Sequence, residues 1–182
     1  MSGTTEDNFY VFTNLGKWYK TTMESFTEET EGEIATKLSY SNNEHTVAIY
    51  NPFEQAKDVY FVTKLGMVNK MNTEEFLKIK KEKTIITFKD EEHDEHVSVL
   101  FGEGTEEMII ATKNNLAVHF DTQSFRELKA GSKGVVGIKI GLNDEVVSAD
   151  LITKEITHIA IMISSALIKR TPIEEFPIQA QY

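Results

Sequence analysis

At 182 residues, with 40% apolar and 10% aromatic content, the chain is long enough to bury a substantial core and is expected to form one domain, 1–182. Its 29 acidic residues against 19 Lys and Arg give a formal net charge of -10, which argues against indiscriminate polyanion binding. The absence of cysteine excludes disulfides, thiolate metal sites and thiol redox chemistry and fits a cytoplasmic setting. No apolar run approaches the ~20 residues of a membrane span, and the start MSGTTEDNF carries no signal sequence.

Taken along the chain, four stretches superpose without gaps: FYVFTNLGKWYK from Phe9, VYFVTKLGMVNK from Val59, MIIATKNNLAVH from Met108 and IAIMISSALIKR from Ile159. Their anchors are Thr13, Thr63, Thr112 and Ile163, about one period of ~50 residues apart. Three residues past each anchor stand Gly16, Gly66, Asn115 and Ala166; seven past stand Lys20, Lys70, His119 and Arg170; thirteen past stand Phe26, Phe76, Phe125 and Phe176. Gly and Asn tolerate a left-handed turn, so each of the first three stretches is expected to form an apolar strand, a tight turn (NL, KL, KN) and a returning strand ending in a basic residue. Ala166 implies a different fourth turn. The four phenylalanines are expected to be buried in equivalent places.

Later in each unit a second strand pair is expected, marked by Asn43-Glu44-His45, Asp94-Glu95-His96 and Asp144-Glu145-Val146. The runs Thr84 to Phe88 (TIITF) and Gly134 to Ile140 (GVVGIKI) have strand composition as well. Four strands per unit without a convincing helix predict an all-β, propeller-like array. The units fall at 8–57, 58–106, 107–156 and a partial 157–182, three and a half to four blades.

The third unit, Ile110 to Ile152, resembles the repeat in the C-terminal domain of the A subunits of bacterial DNA gyrase and topoisomerase IV. The elements that carry the resemblance are the turn Thr112 to Asn115, Phe120, the Gly134 to Ile140 strand and Asp144 to Val147. Units one, two and four resemble it more weakly, so the likeness covers essentially the whole chain. It implies a β-pinwheel around whose basic rim duplex DNA bends, a non-catalytic module of an ATP-dependent type II topoisomerase. The partners implied are duplex DNA, the catalytic core to which such a module is joined and, through that core, the ATPase B subunit, with no cofactor and no membrane. The glutamine- and arginine-rich box of gyrase has no counterpart, since Arg126 and Arg170 are the only arginines. That implies a topoisomerase IV-like or degenerate domain, or a stretch without the blade carrying the box.

Local charge decides whether an acidic chain can hold DNA. From Asp90 to Glu107 eight acidic residues stand with no Lys or Arg. From Ala111 to Ile140, Lys113, Arg126, Lys129, Lys133 and Lys139 oppose only Asp121 and Glu127. The expected contacts are the stripe Lys20, Lys70, His119 and Arg170, one cation per blade, with Lys17, Lys64, Lys113, Arg126, Lys129 and Lys133. They stand against the plainer reading of strand-end charges that only solubilise. A protein-interaction propeller without DNA affinity is the alternative function.

The string EEHDEH, Glu91 to His96, suggests a metal site; solvated turn charge is the plainer reading, so no metal is expected. No nucleophile motif or Walker spacing is present, and pairs such as Glu28-Glu29 and Glu174-Glu175 read as turn charge, so no catalytic residue is expected. Trp18 is expected in the core, because Val68, Ala117 and Ile168 hold its position in the other units.

Overall fold

The repeat resolves into strands of similar length in similar order. The computed structural model describes residues 8–26, 34–51, 55–79, 88, 90, 92–163, 165 and 167–180. Unit one contains β1 (Asn8–Thr13), β2 (Trp18–Thr22), the short helix α1 (Ile34–Lys37) and β3 (Thr46–Tyr50). Unit two contains β4 (Asp58–Thr63), β5 (Met67–Asn72), α2 (Thr73–Leu77) and β6 (His96–Gly102). Unit three contains β7 (Glu107–Thr112), β8 (Ala117–Asp121), β9 (Val135–Val136) and β10 (Val146–Ile152), and unit four adds the hairpin β11 (His158–Met162) and β12 (Ile168–Pro172). All pairings between these strands are antiparallel.

The turns follow from the anchor residues. Gly16, Gly66 and Asn115 have φ of 74°, 83° and 66°, the left-handed conformation expected there. The N–H of each donates to the carbonyl of Thr13, Thr63 or Thr112. The threonine hydroxyls complete the turns: Thr63 and Thr112 accept from the N–H of Met67 and Leu116, and Thr13 and Thr112 donate to Glu44 and Asp144. Ile163 has no hydroxyl for this role; Ala166 lies outside the described residues.

In unit three, where its residues are described, the expected second strand pair does not form. One strand of each expected pair returns to its own hairpin, giving the orders β2-β1-β3, β5-β4-β6 and β8-β7-β10. The GVVGIKI run instead leaves its unit: only Val135 and Val136 are in strand, and they pair with Val68 and Met67 of unit two. Periodicity locates a strand but does not say whose edge it completes. Of the TIITF run only Phe88 lies among the described residues.

Glycine makes this crossing possible. Gly134 has φ of 80°, and a Cβ there would lie 2.7 Å from the Val68 carbonyl oxygen; a Cβ on Gly137 would lie 2.5 Å from Val68 Cγ2. The N–H groups of Gly137 and Ile138 both donate to the Gly66 carbonyl, at 2.9 and 3.2 Å.

Two apolar clusters fill the junctions between units. Tyr10, Phe12 and Trp18 of unit one pack with Phe61, Phe76 and Val99 of unit two; Trp18 is core, as expected. Tyr60, Val62 and Val68 of unit two pack with Met108, Ile110, Phe125 and Ile138 of unit three. The repeated phenylalanine ends a single helical turn and is offered to the preceding unit: Phe76 meets the rings of Tyr10, Phe12 and Trp18 at 5.1–5.4 Å. Equivalent burial holds for Phe76 and Phe125, but Phe26 and Phe176 are half-buried. Phe26 has no preceding hairpin among the described residues.

Replacing Gly134 with Ala should therefore cost about 1–3 kcal/mol, from the left-handed backbone and the Val68 carbonyl together. Urea denaturation followed by circular dichroism should show a lowered midpoint.

Candidate nucleic-acid interface

The hairpins place the repeated cation at one ladder position: Lys20 opposite Tyr10, Lys70 opposite Tyr60, His119 opposite Ile109 and Arg170 opposite Ala160. The stripe is nevertheless not uniform, because a carboxylate near the start of the hairpin decides where each side chain goes. Lys70 Nζ lies 3.1 Å from Asp58 Oδ2 and over the Tyr60 ring, and Lys70 is only 7% exposed. His119, 3% exposed, has Nε2 2.8 Å from Glu107 Oε2 and Nδ1 2.8 Å from the Phe176 carbonyl oxygen. At the same strand position, units one and four have Asn8 and His158. Lys20 and Arg170 are exposed and form no ion pair with described residues.

Lys17, Lys64 and Lys113 are also engaged, at the turn end of the sheets. Lys17 Nζ donates to Ser41 Oγ and Glu44 Oε2 at 2.6 and 2.9 Å. Lys64 lies 3.3 Å from both Glu95 and Glu145, which raise its pKa, and Lys113 lies 3.1 Å from Glu145. Arg126, Lys129 and Lys133 are different. They sit on the segment that crosses from unit three to the outer edge of β5, where the Leu128 N–H donates to the Lys70 carbonyl, and all three are exposed.

The acids that serve the turns lie at the inner strands. β3, β6 and β10 are the inner strands, β3 beside β6 and β6 beside β10. The acids Glu44, Asp94, Glu95, Asp144 and Glu145 stand at their beginnings or in the turns before them. Lys20, Arg126, Lys129, Lys133 and Arg170 belong to the outer strands and the crossing segment.

The EEHDEH members have separate structural duties. Asp94 accepts from the Leu65 N–H, and burial raises its pKa. Glu95 accepts from Asn14 Nδ2 at 2.8 Å, a bond that lowers its pKa. His93 is bonded to Asp90 at 3.0 Å, and Glu91 lies outside the described residues. His96 is buried between Phe61 and Phe88. No group of three or more His, Asp or Glu poised for a metal ion occurs among the described residues. Sequence reasoning did not find Asp58 and Glu107, the acids that withdraw Lys70 and His119; their shared place before the first apolar residue of each hairpin was the available signal.

Burial pushes the His96 pKa down to about 4. The unfolded chain, with an imidazole near 6.5, then binds more protons than the folded one between those values. Stability is therefore predicted to fall as pH drops from about 6.5 to about 4, by roughly 3 kcal/mol at most from this group. His96→Val, the residue type of unit three, should flatten that window in pH-dependent urea melts. Glu44 titrates lower. Burial raises its pKa, but the Ser41 N–H, Lys17, Thr13 and Tyr19 bring it to about 2; its contribution is present above about 4.5 and lost as pH falls through 2, so H96V leaves that loss intact.

Comparison with known proteins agrees with this architecture. The family model described as "DNA gyrase C-terminal domain, beta-propeller" matches residues 57–100, 106–153 and 164–181, more than half of the chain. The A subunit of DNA gyrase from Buchnera aphidicola is 34% identical over 151 residues, 81% of this chain and 18% of that protein. The A subunit of Escherichia coli DNA gyrase is 26% identical over 97% of this chain and 21% of its own length. The chain thus spans about a fifth of the curated relatives it matches. Among solved structures, the C-terminal domain of DNA topoisomerase IV has a TM-score of 0.85 and 25% identity, over 97% of this chain and 57% of that one. The DNA gyrase A C-terminal domain has a TM-score of 0.76 and 21% identity, over 98% and 59%.

Proposed function

The chain belongs to the DNA gyrase C-terminal domain family, and we propose that it binds and bends duplex DNA along its outer edge, without chemistry of its own, as part of the A subunit of a type II topoisomerase. The observation that carries this reading is a set of exposed cations on the outer edge, unpaired among the described residues. Five exposed cations, Lys20, Arg126, Lys129, Lys133 and Arg170, lie on the outer strands and the crossing segment, with no ion-pair partner among the described residues. The carboxylates before β3, β6 and β10 are instead held at the turn end by backbone N–H groups and by Lys17, Lys64 and Lys113. A net charge of -10 is compatible with such binding because phosphate contacts respond to local potential.

Contacts of this kind position the duplex without reading base edges, so the binding is to backbone shape. The parent protein in this reading is an ATP-dependent topoisomerase that acts in the cytoplasm, with this module presenting DNA to the catalytic core and, through it, to the ATPase B subunit. Among the described residues no helix is long and apolar enough to cross a membrane.

Each neutralised phosphate steepens the dependence of log affinity on log salt by about 0.9 for duplex DNA. Lys20→Ala with Arg170→Ala should therefore lower the slope by about 2 and weaken all sequences alike. Lys70→Ala, whose ammonium is held by Asp58, should lower stability and leave the slope unchanged. Salt-titrated mobility shifts with plain duplex measure both. No binding by the wild type at about 20 mM salt would reject the proposal in favour of a protein-interaction propeller.

A further inference from the structure

Successive units are fastened by one recurring arrangement at the turn end. The N–H of His96 donates to the Asn14 carbonyl at 2.8 Å, and the N–H of Val146 donates to the Lys64 carbonyl at 2.9 Å. Beside each backbone bond runs a side-chain clasp. Glu95 of unit two takes Asn14 Nδ2 of unit one at 2.8 Å and its own unit's Lys64 at 3.3 Å. Glu145 of unit three takes Lys64 of unit two at 3.3 Å and its own unit's Lys113 at 3.1 Å. Asn14, Glu95, Lys64, Glu145 and Lys113 thereby form one unbroken chain across three units.

At the outer edge the second and third units are tied by backbone, through β5 with β9 and through Leu128 with Lys70. The middle of the junction is filled by close-packed apolar side chains. The turn end, where each junction has a single backbone bond, is the more adjustable side, because Lys64 and Glu95 are each 32% exposed and Glu145 31%. We infer that this clasp chain fixes the angle between successive units, and hence the curvature of the outer edge, so that Glu95, Glu145, Lys64 and Lys113 are positioning residues and not phosphate contacts. Its bearing on bound DNA rests on the reading above; its bearing on the angle does not.

The two clasps differ in kind. Units one and two are joined through a neutral amide, units two and three through ion pairs. Screening shortens the reach of exposed charges from about 10 Å at 0.1 M salt to about 3 Å at 1 M. Salt should therefore loosen the second junction more than the first.

The chain has no native cysteine, so spin labels can be placed at the equivalent exposed positions Glu24→Cys, Glu74→Cys and Gln123→Cys, in pairs, and distances measured by double electron–electron resonance. At 0.1 M salt the 74–123 distance should be narrow. It should shift and broaden in Glu145→Gln, and in the wild type at 1 M salt, while the 24–74 distance stays unchanged in both. A 74–123 distribution indifferent to both Glu145→Gln and salt would overturn the inference; if the variant does not fold, an unchanged wild-type distribution between 0.1 and 1 M salt overturns it alone. With saturating protein, end-to-end fluorescence transfer on a short duplex should report a changed bend in Glu145→Gln at nearly unchanged affinity. An unchanged bend beside shifted label distances would overturn the link to DNA. Absence of duplex binding by the wild type would refute the DNA reading and leave the label distances to decide the angle.

Discussion

The crossing of residues 134–138 over the β4–β5 turn is the contact from which the rest of the arrangement follows. Two backbones can approach this closely only where one partner at each contact has no side chain, and Gly66 against Ile138, with Gly134 and Gly137 against Val68, supply that absence. Once the segment has crossed, β9 of unit three adds a fourth strand beside β5, and the four-stranded sheet of unit two is complete only with unit three. The core then forms at the junctions. On β4, Val59 and Phe61 enter the cluster shared with unit one while Tyr60 and Val62 enter the one shared with unit three, so a strand with period-two geometry is apolar on both faces. β11, with a single neighbour, β12, among the described strands, shows the opposite: exposed residues alternate with half-buried ones.

The turns also fix where the inner acids stand. The inner strands begin at the turn end, where a carboxylate is needed to satisfy turn N–H groups: Asp94 caps Leu65, and Asp144 caps Asn114. The next residue, Glu95 or Glu145, reaches the preceding unit. Acids are drawn inward by backbone satisfaction, and lysines at the turns follow them. Arg126, Lys129 and Lys133 on the segment that crosses outward stand exposed, with no ion-pair partner among the described residues.

Much of this was legible in the sequence because it concerns periodicity. The anchor threonines, the left-handed positions, the hairpins and the inward Trp18 all follow from residue types recurring at fixed offsets. Strand partnership did not follow, since GVVGIKI has the same composition whether it closes its own blade or its neighbour's. The uniform cation stripe failed as geometry for a related reason. Offset fixes the Cα position of Lys70 and His119, but the direction of a long side chain depends on a carboxylate whose place across the hairpin becomes evident only when the register is known. His96 reads as part of an acidic, solvated string; being first in a strand with an aromatic on either side puts it in the core.

Identical slots therefore carry different duties according to what stands opposite. Two residues before the cross-strand partner of the repeated cation stand Asn8, Asp58, Glu107 and His158 in the four hairpins. Asp58 in that slot offsets the desolvation of the Lys70 ammonium and lets it fold inward as a strut within the hairpin. His119 extends the strut between units, since its other nitrogen meets the Phe176 carbonyl while the Gln179 N–H returns to the His119 carbonyl. Without the carboxylate, burial would strand an uncompensated charge, and Lys20 and Arg170 remain outside. One acid per hairpin is thus enough to choose whether the repeat contributes to the interior of the disc or to its outer potential, with no change in the backbone that carries it.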